Sequence, residues 1–248
     1  MIESRVSARQ MLVKPTSRIE RLNVQTPKPI PIDGSFTAAK LKIILAAEKL
    51  FAQTSIESAS LREIAVEAGQ KNHYAVQYHF GSREGLVRAV FAHRMFQMEA
   101  RRGVMLAEAE REGRLGEVGA LLEMLYVPQL ELQRSDGNKS YARFLCQYLL
   151  RERSRNFGDF GIPLPPNLAR IFDLLGDYLG HLPNETAQRR LVSASLVFLN
   201  ILATYVDDRG ERTDMSGAET FEQALEDTLA LIETALVMPL VTRSGPPH

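Results

Sequence analysis

A single cysteine, Cys146, rules out an intramolecular disulfide in this chain of 248 residues and points to a reducing compartment. No apolar run approaches the ~20 residues needed to span a bilayer. The opening MIESRVSARQMLVKP lacks both the apolar core and the small-residue cleavage site of a signal peptide. A soluble, cytoplasmic protein with no membrane partner is therefore expected. Period-2 alternation and internal repeats are missing as well, which argues against a β architecture and a solenoid. Net charge is also absent, with 30 basic and 30 acidic side chains. At face value that balance argues against a nucleic-acid partner.

The zero is an average over two unlike regions. Residues 1–94 carry 14 basic and 8 acidic side chains, whereas residues 95–248 carry 16 and 22. A basic first third on a neutral protein is the footprint of a DNA-facing end joined to a body with no reason to touch DNA.

Residues 1–35 have the character of a basic, flexible arm. Arg5, Arg9, Lys14, Arg18, Arg21 and Lys28 are scattered through it, and Pro27, Pro29 and Pro31 favour an extended path. Such a stretch is either a disordered leader or an arm that adds phosphate or minor-groove contacts. Helical periodicity begins at Thr37. Ile43, Ile44, Ala47, Leu50 and Phe51 share one face, and Ser60 with Glu63 forms a capping box ahead of Leu61, Ile64, Ala65 and Ala68. Gly69 permits a turn. A third helix is expected over Asn72 to His79, and Ser82 caps a fourth that begins near Arg83.

The remainder is helical in period. Candidate helices run over Ala100–Arg114, Leu115–Arg134, Ser140–Ser154, Pro166–Leu182, Glu185–Asp207 and Phe221–Val237, separated by Gly-, Pro- and Asn-containing loops. The expected fold is all-α. A three-helix helix-turn-helix domain over residues 36–94 precedes a larger helical domain over residues 95–248.

A helix-turn-helix reads a duplex by presenting the N-terminal residues of its second helix to base edges while the first helix anchors on the backbone. Lys71, Asn72, His73, Tyr74 and Gln77 occupy that position. Asn and Gln pair bidentately with adenine, and Lys reaches guanine or a phosphate. Arg62 precedes them. Ser60, Tyr78, His79 and Arg83 flank the reading segment, with the amides opening the fourth helix as a phosphate site. Val76 and Phe80 have the character of core, and packing against the domain is the other reading of Tyr78 and His79.

The blocks IILAAEKLFAQ, ASLREIAVEAG and YHFGSREGLVRAVF, in that order, resemble the N-terminal domain of TetR-type transcriptional regulators over Thr37 to Arg94. The resemblance implies a homodimer that binds double-stranded DNA, represses transcription and is released by a small molecule bound in the larger domain. By the same resemblance Arg62 is a helix position that contacts DNA, Tyr78 and His79 end the recognition helix, and Arg83 meets a phosphate. One departure concerns the turn. Gly69 to Phe80 spans eleven positions, one more than the family commonly has, so the residues facing bases stay open. Gln77 stands where a Tyr is often found.

In the larger domain Met124, Tyr141, Phe144, Tyr148, Phe172 and Phe198 are the candidates to line an effector cavity, although such residues more often form plain core. Arg143 and Arg151 fall either at a pocket mouth or on the surface. Met-rich, aromatic walls suit a small apolar effector. The segment from Ala194 to Ala203 is apolar nearly all round, and Phe221, Leu225, Leu229, Ile232 and Leu236 form a stripe. These two helices are expected to meet their copies in a four-helix dimer interface, the other reading being a core helix in a monomer. No enzyme, cofactor or metal site is expected. The five histidines are dispersed, Cys146 has no partner at useful spacing, and Asp207 and Asp208 fall in a loop. A helical sensor of the same fold without sequence-specific DNA binding is the alternative function.

Overall fold

A computed structural model describes residues 30–31, 34–72, 74–136, 139–151, 157–204 and 220–240. Most of the basic arm, His73, and the loop containing Asp207 and Asp208 lie outside the described residues. Among those described, nine α-helices and no strand are found.

Three helices build the head: α1 (Ala38–Gln53), α2 (Leu61–Glu67) and α3 (Ala75–Phe80). Local chemistry sets each boundary. The Thr37 side chain accepts from the Lys40 amide at the start of α1, and Ser60 with Glu63 closes a reciprocal capping box at α2. At the end of α2, Gly69 adopts φ +67°, its amide donates to Val66 O, and Gln70 N donates to Ala65 O. That paired return of the chain is a Schellman closure, which needs a residue without Cβ strain at the left-handed position. The third helix starts at Ala75 rather than Asn72. The Asn72 carboxamide instead accepts from Tyr74 N at 2.9 Å, a side-chain turn that competes with helix formation and delays it.

Helix α4 (Arg83–Glu112) replaces two expected helices. Nothing between Phe91 and Ala100 breaks a helix, since that stretch holds neither Gly nor Pro. At 30 residues α4 is about 45 Å long, enough to run from head to body without interruption. It ends at Gly113, φ +73°, where Arg114 N returns to Ala109 O at 2.8 Å.

The body consists of α5 (Val118–Asp136), α6 (Ser140–Arg151), α7 (Pro166–Leu179), α8 (Asn184–Thr204) and α9 (Phe221–Val237). Pro128 sits inside α5, where it withholds one backbone donor from the ladder. Helix α9 takes the bounds expected from its stripe, and Thr220 with Gln223 caps its start. Helices α8 and α9 run antiparallel, because Arg190 near the start of α8 donates to Leu236 O near the end of α9 at 2.7 Å.

Head and body share one continuous apolar core. Helix α1 packs on α6 as well as on α4. Phe144 of α6 lies between Phe51 of α1 and Phe91 of α4, with ring centroids 6.0 and 5.0 Å away. Burying each of these rings contributes roughly 1.5–3 kcal/mol. Beside them Arg94 grips Glu48 through two parallel bonds of 2.6 and 2.8 Å, and Ser140 of α6 donates to the same carboxylate. The residues ahead of α1 join this assembly. Phe36 meets His93 edge-on, and Gly34 lies so close to Phe96 that an added Cβ would approach its side chain at 2.6 Å.

Candidate nucleic-acid interface

Helix α3 has two unlike sides. Ala75, Val76 and Phe80 are buried beneath it, while Gln77 and Tyr78 project outward. Tyr74, just before the helix, is 77% exposed and Tyr78 is 67% exposed. Lys71 and Asn72 are exposed in the connector, and Arg62 is exposed on α2. Arg62 on α2, Lys71 and Tyr74 ahead of α3, and Gln77 and Tyr78 on α3 are thus all exposed side chains of this segment. Its exposed aromatic rings offer apolar contact, and its Lys, Gln and Arg offer donors, the combination suited to a groove with phosphate walls. His79 is half-buried between the rings of Tyr78 and Phe80, at centroid distances of 5.0 and 6.2 Å.

Other expected contact residues have structural partners. Ser60 receives the Arg62 amide at 3.2 Å as the cap of α2. Asn72 shapes the connector, as described above. Arg83 is half-buried, and its Nη1 donates to Ile56 O and Ala59 O, both at 2.5 Å. It ties the α1–α2 turn to the start of α4, a role that sequence reasoning missed because its two acceptors are backbone carbonyls. The joint between α3 and α4 is equally tight. Gly81 turns the chain at φ +76°, and a Cβ added at Gly85 would lie 2.1 Å from Phe80 O. Only glycine at position 85 allows α4 to approach the end of the reading helix this closely.

In the body, α4 to α8 and the segment between α6 and α7 line a narrow pocket, about 440 Å³ of non-atom space when the open solvent at its mouth is included. Of the six expected lining residues, Tyr141 and Phe172 face it. Met124, Phe144, Tyr148 and Phe198 do not. Phe144 fills the head–body core, Tyr148 packs on Phe91 and donates to Asp159 O, and Phe198 stacks on Tyr126 from behind. Met124 is buried away from the cavity. Periodicity marks all six as inward-facing, but the placement of a void depends on how five elements meet. The cavity wall also holds Arg102, Gln129 and Ser195, polar side chains that sequence reasoning did not select. Arg151 pairs with Glu57 at 2.5 Å instead of standing at a pocket mouth.

Burial pushes the Cys146 thiol up to about 11, so almost none of it is thiolate at neutral pH. Among the described residues, no His, Cys, Asp and Glu group of three or more is disposed to hold a metal, and no helix is long and apolar enough to cross a membrane.

Residues 43–90 match the family described as bacterial regulatory proteins, tetR family. No curated protein matches the chain. A solved structure described as "Molecular basis for control of antibiotic production by a bacterial hormones" is similar at 19% identity and a TM-score of 0.42, covering 81% of this chain and 98% of that one. The family match spans the capped α2, the connector and the reading helix, the elements that carry the exposed face described above. Residues 43–90 therefore form a helix-turn-helix domain of the tetR family of bacterial regulatory proteins.

Proposed function

We propose that the protein is a homodimeric, ligand-responsive transcriptional repressor that docks α3 in the major groove of a pseudo-palindromic operator. The outward face of α3, with Gln77 and two largely exposed tyrosines held over a buried stripe, carries this reading. A monomer has little reason to present Tyr74 and Tyr78 to water, whereas a groove offers both apolar and phosphate contacts. Two heads would engage faces ~34 Å apart, one helical turn of DNA. Lys71 and Arg62 supply phosphate contacts, and Gln77 is placed to meet a base edge.

Exposed apolar side chains on the last two helices support the dimer. Val197 of α8 is 40% exposed and Leu231 of α9 is 57% exposed. Covering such residues against a copy yields a four-helix contact. Replacing both with Arg is expected to give a folded monomer by sedimentation. The head division at residue 94 then reads as a functional boundary rather than a break in packing, since α4 crosses it.

An effector in the body cavity shifts the heads only if it binds the DNA-free arrangement more tightly than the DNA-bound one. Selection of genomic fragments by the purified protein, followed by mobility shift, tests the whole reading. Enrichment of a two-fold-symmetric sequence, lost on Arg62→Ala and Lys71→Ala with the dimer intact, supports it. No enrichment even at low salt would sink it and leave a sensor without specific DNA binding. Arg83 is unsuited to this test because its loss also loosens the head.

A further inference from the structure

Arg102 stands in the cavity wall with its charge unanswered. It is 2% exposed, and its Nε has no hydrogen-bond partner. Its other nitrogens reach only Met95 O at 3.4 Å and the Met98 sulfur at 3.7 Å. Among the described residues it forms no ion pair. One further polar group in the same wall is unsatisfied, Gln129 Oε1, which is buried without a partner, and the Tyr141 side chain lines the same wall within electrostatic range of Arg102. Glu99, one turn before Arg102 on α4, does not line the cavity. Its Oε1 accepts from Asn167 N at 2.5 Å, and its backbone carbonyl receives the Asn167 carboxamide at 3.3 Å. That oxygen is therefore held at the start of α7, while Glu99 Oε2 is buried without a hydrogen-bond partner and acts on Arg102 only through space.

A buried guanidinium without a carboxylate is unfavourable in an apolar wall, and a chain keeps one where something else completes it. We infer that the effector is an apolar acid, its hydrocarbon body among Leu145, Leu149 and Phe172 and its carboxylate paired with Arg102. The inference rests on the ligand-responsive reading and narrows it: a wholly apolar effector would fill the void and leave Arg102 unpaired. Tyr141 donates to the same carboxylate, and Gln129 Oε1 accepts from a hydroxyl on the ligand where one is present. Desolvation lowers the affinity of Arg102 for its proton, partly offset by Tyr141 and Glu99.

The test uses the full-length protein and matched probes that differ only at the head: octanoate, 1-octanol and octylamine, with 3-phenylpropionate and 3-phenylpropanol as a second body. By calorimetry the acids are expected to bind about tenfold or more tightly than their alcohols, and the amine least of all. Arg102→Met is expected to equalise acid and alcohol, and Arg102→Lys to restore part of the difference. Equal binding of acid and alcohol by the unmodified protein overturns the acid head while leaving the cavity intact. Binding of none of the probes overturns both the head and the cavity as an effector site. A ligand-free readout stands apart from these: Arg102→Met is expected to raise the melting temperature. A fall would mean that Arg102 serves the fold, and would overturn the assignment.

Discussion

Two arginines on α4, eight positions apart, are buried to the same 2% and treated in opposite ways. Arg94 lies at the junction of head and body, where Glu48 meets it with both carboxylate oxygens and Ser140 completes the acceptor. Arg102 lies in the body, where a carbonyl and a thioether at long range are its neighbours. The first charge is answered from within the chain; the second is not. Burial alone thus says little about what a charge does in a fold. The completeness of its partner set separates a structural clamp from a group available to a ligand.

The sharpest way to break this contrast is to remove one partner of the clamp. Arg94→Met leaves Glu48 buried and uncompensated, and is expected to destabilise the protein by about 3–5 kcal/mol, read as a lower urea midpoint. Adding Glu48→Leu should recover much of that loss, because the orphaned charge then disappears. The same change at Arg102 is expected to have the opposite sign, stabilising the ligand-free protein by roughly 1–3 kcal/mol in the same urea melt. Should both substitutions destabilise equally, the two arginines are not different in kind. Gly85→Ala drives a Cβ into Phe80 O and is expected to cost about 1–3 kcal/mol of overpacking strain while misplacing α3. Mobility shift should show lost operator affinity with the dimer retained. Smaller still, Ser60→Ala removes the α2 cap and is expected to cost ~1 kcal/mol in thermal unfolding. On DNA, Lys71→Ala is expected to reduce the slope of log affinity against log salt by about 1, the signature of one lost phosphate contact.

Much of the head was legible because its signals are local. Ser60 and Glu63 lie three residues apart, and Gly69 sits where the helix must reverse, so short-range stereochemistry specifies α2 without reference to the rest. Helix α9 was legible for the same reason, its stripe bounded by Thr220 and the exposed end after Val237. The failures came where the deciding partner is remote or is backbone. Asn72 turns its side chain onto Tyr74 N, which shortens α3 although its composition suits a helix. The continuity of α4 was hidden by the change of its buried face from head to body. Arg83 looks like any surface cation until Ile56 O and Ala59 O are brought beneath it. Arg102 looks like the polar side of a helix, and only the arrival of α5, α6 and α7 around it makes a wall. The division of six inward-facing residues into two that line the void and four that do not depends on tertiary arrangement, which periodicity does not carry.

The uninterrupted run of α4 has a mechanical meaning. From Arg102 back to Gly85 the helix measures about 25 Å, at 1.5 Å per residue. A rigid rod of that length, tilted by about 5° at the cavity, carries its far end sideways by roughly 2 Å. Gly85 couples that far end to α3 with no slack, since the carbonyl of Phe80 already occupies the place where a methyl would be. A displacement too small to disturb the body's packing therefore arrives at the other end as a mismatch several times the roughly 0.5 Å window of hydrogen-bond distances.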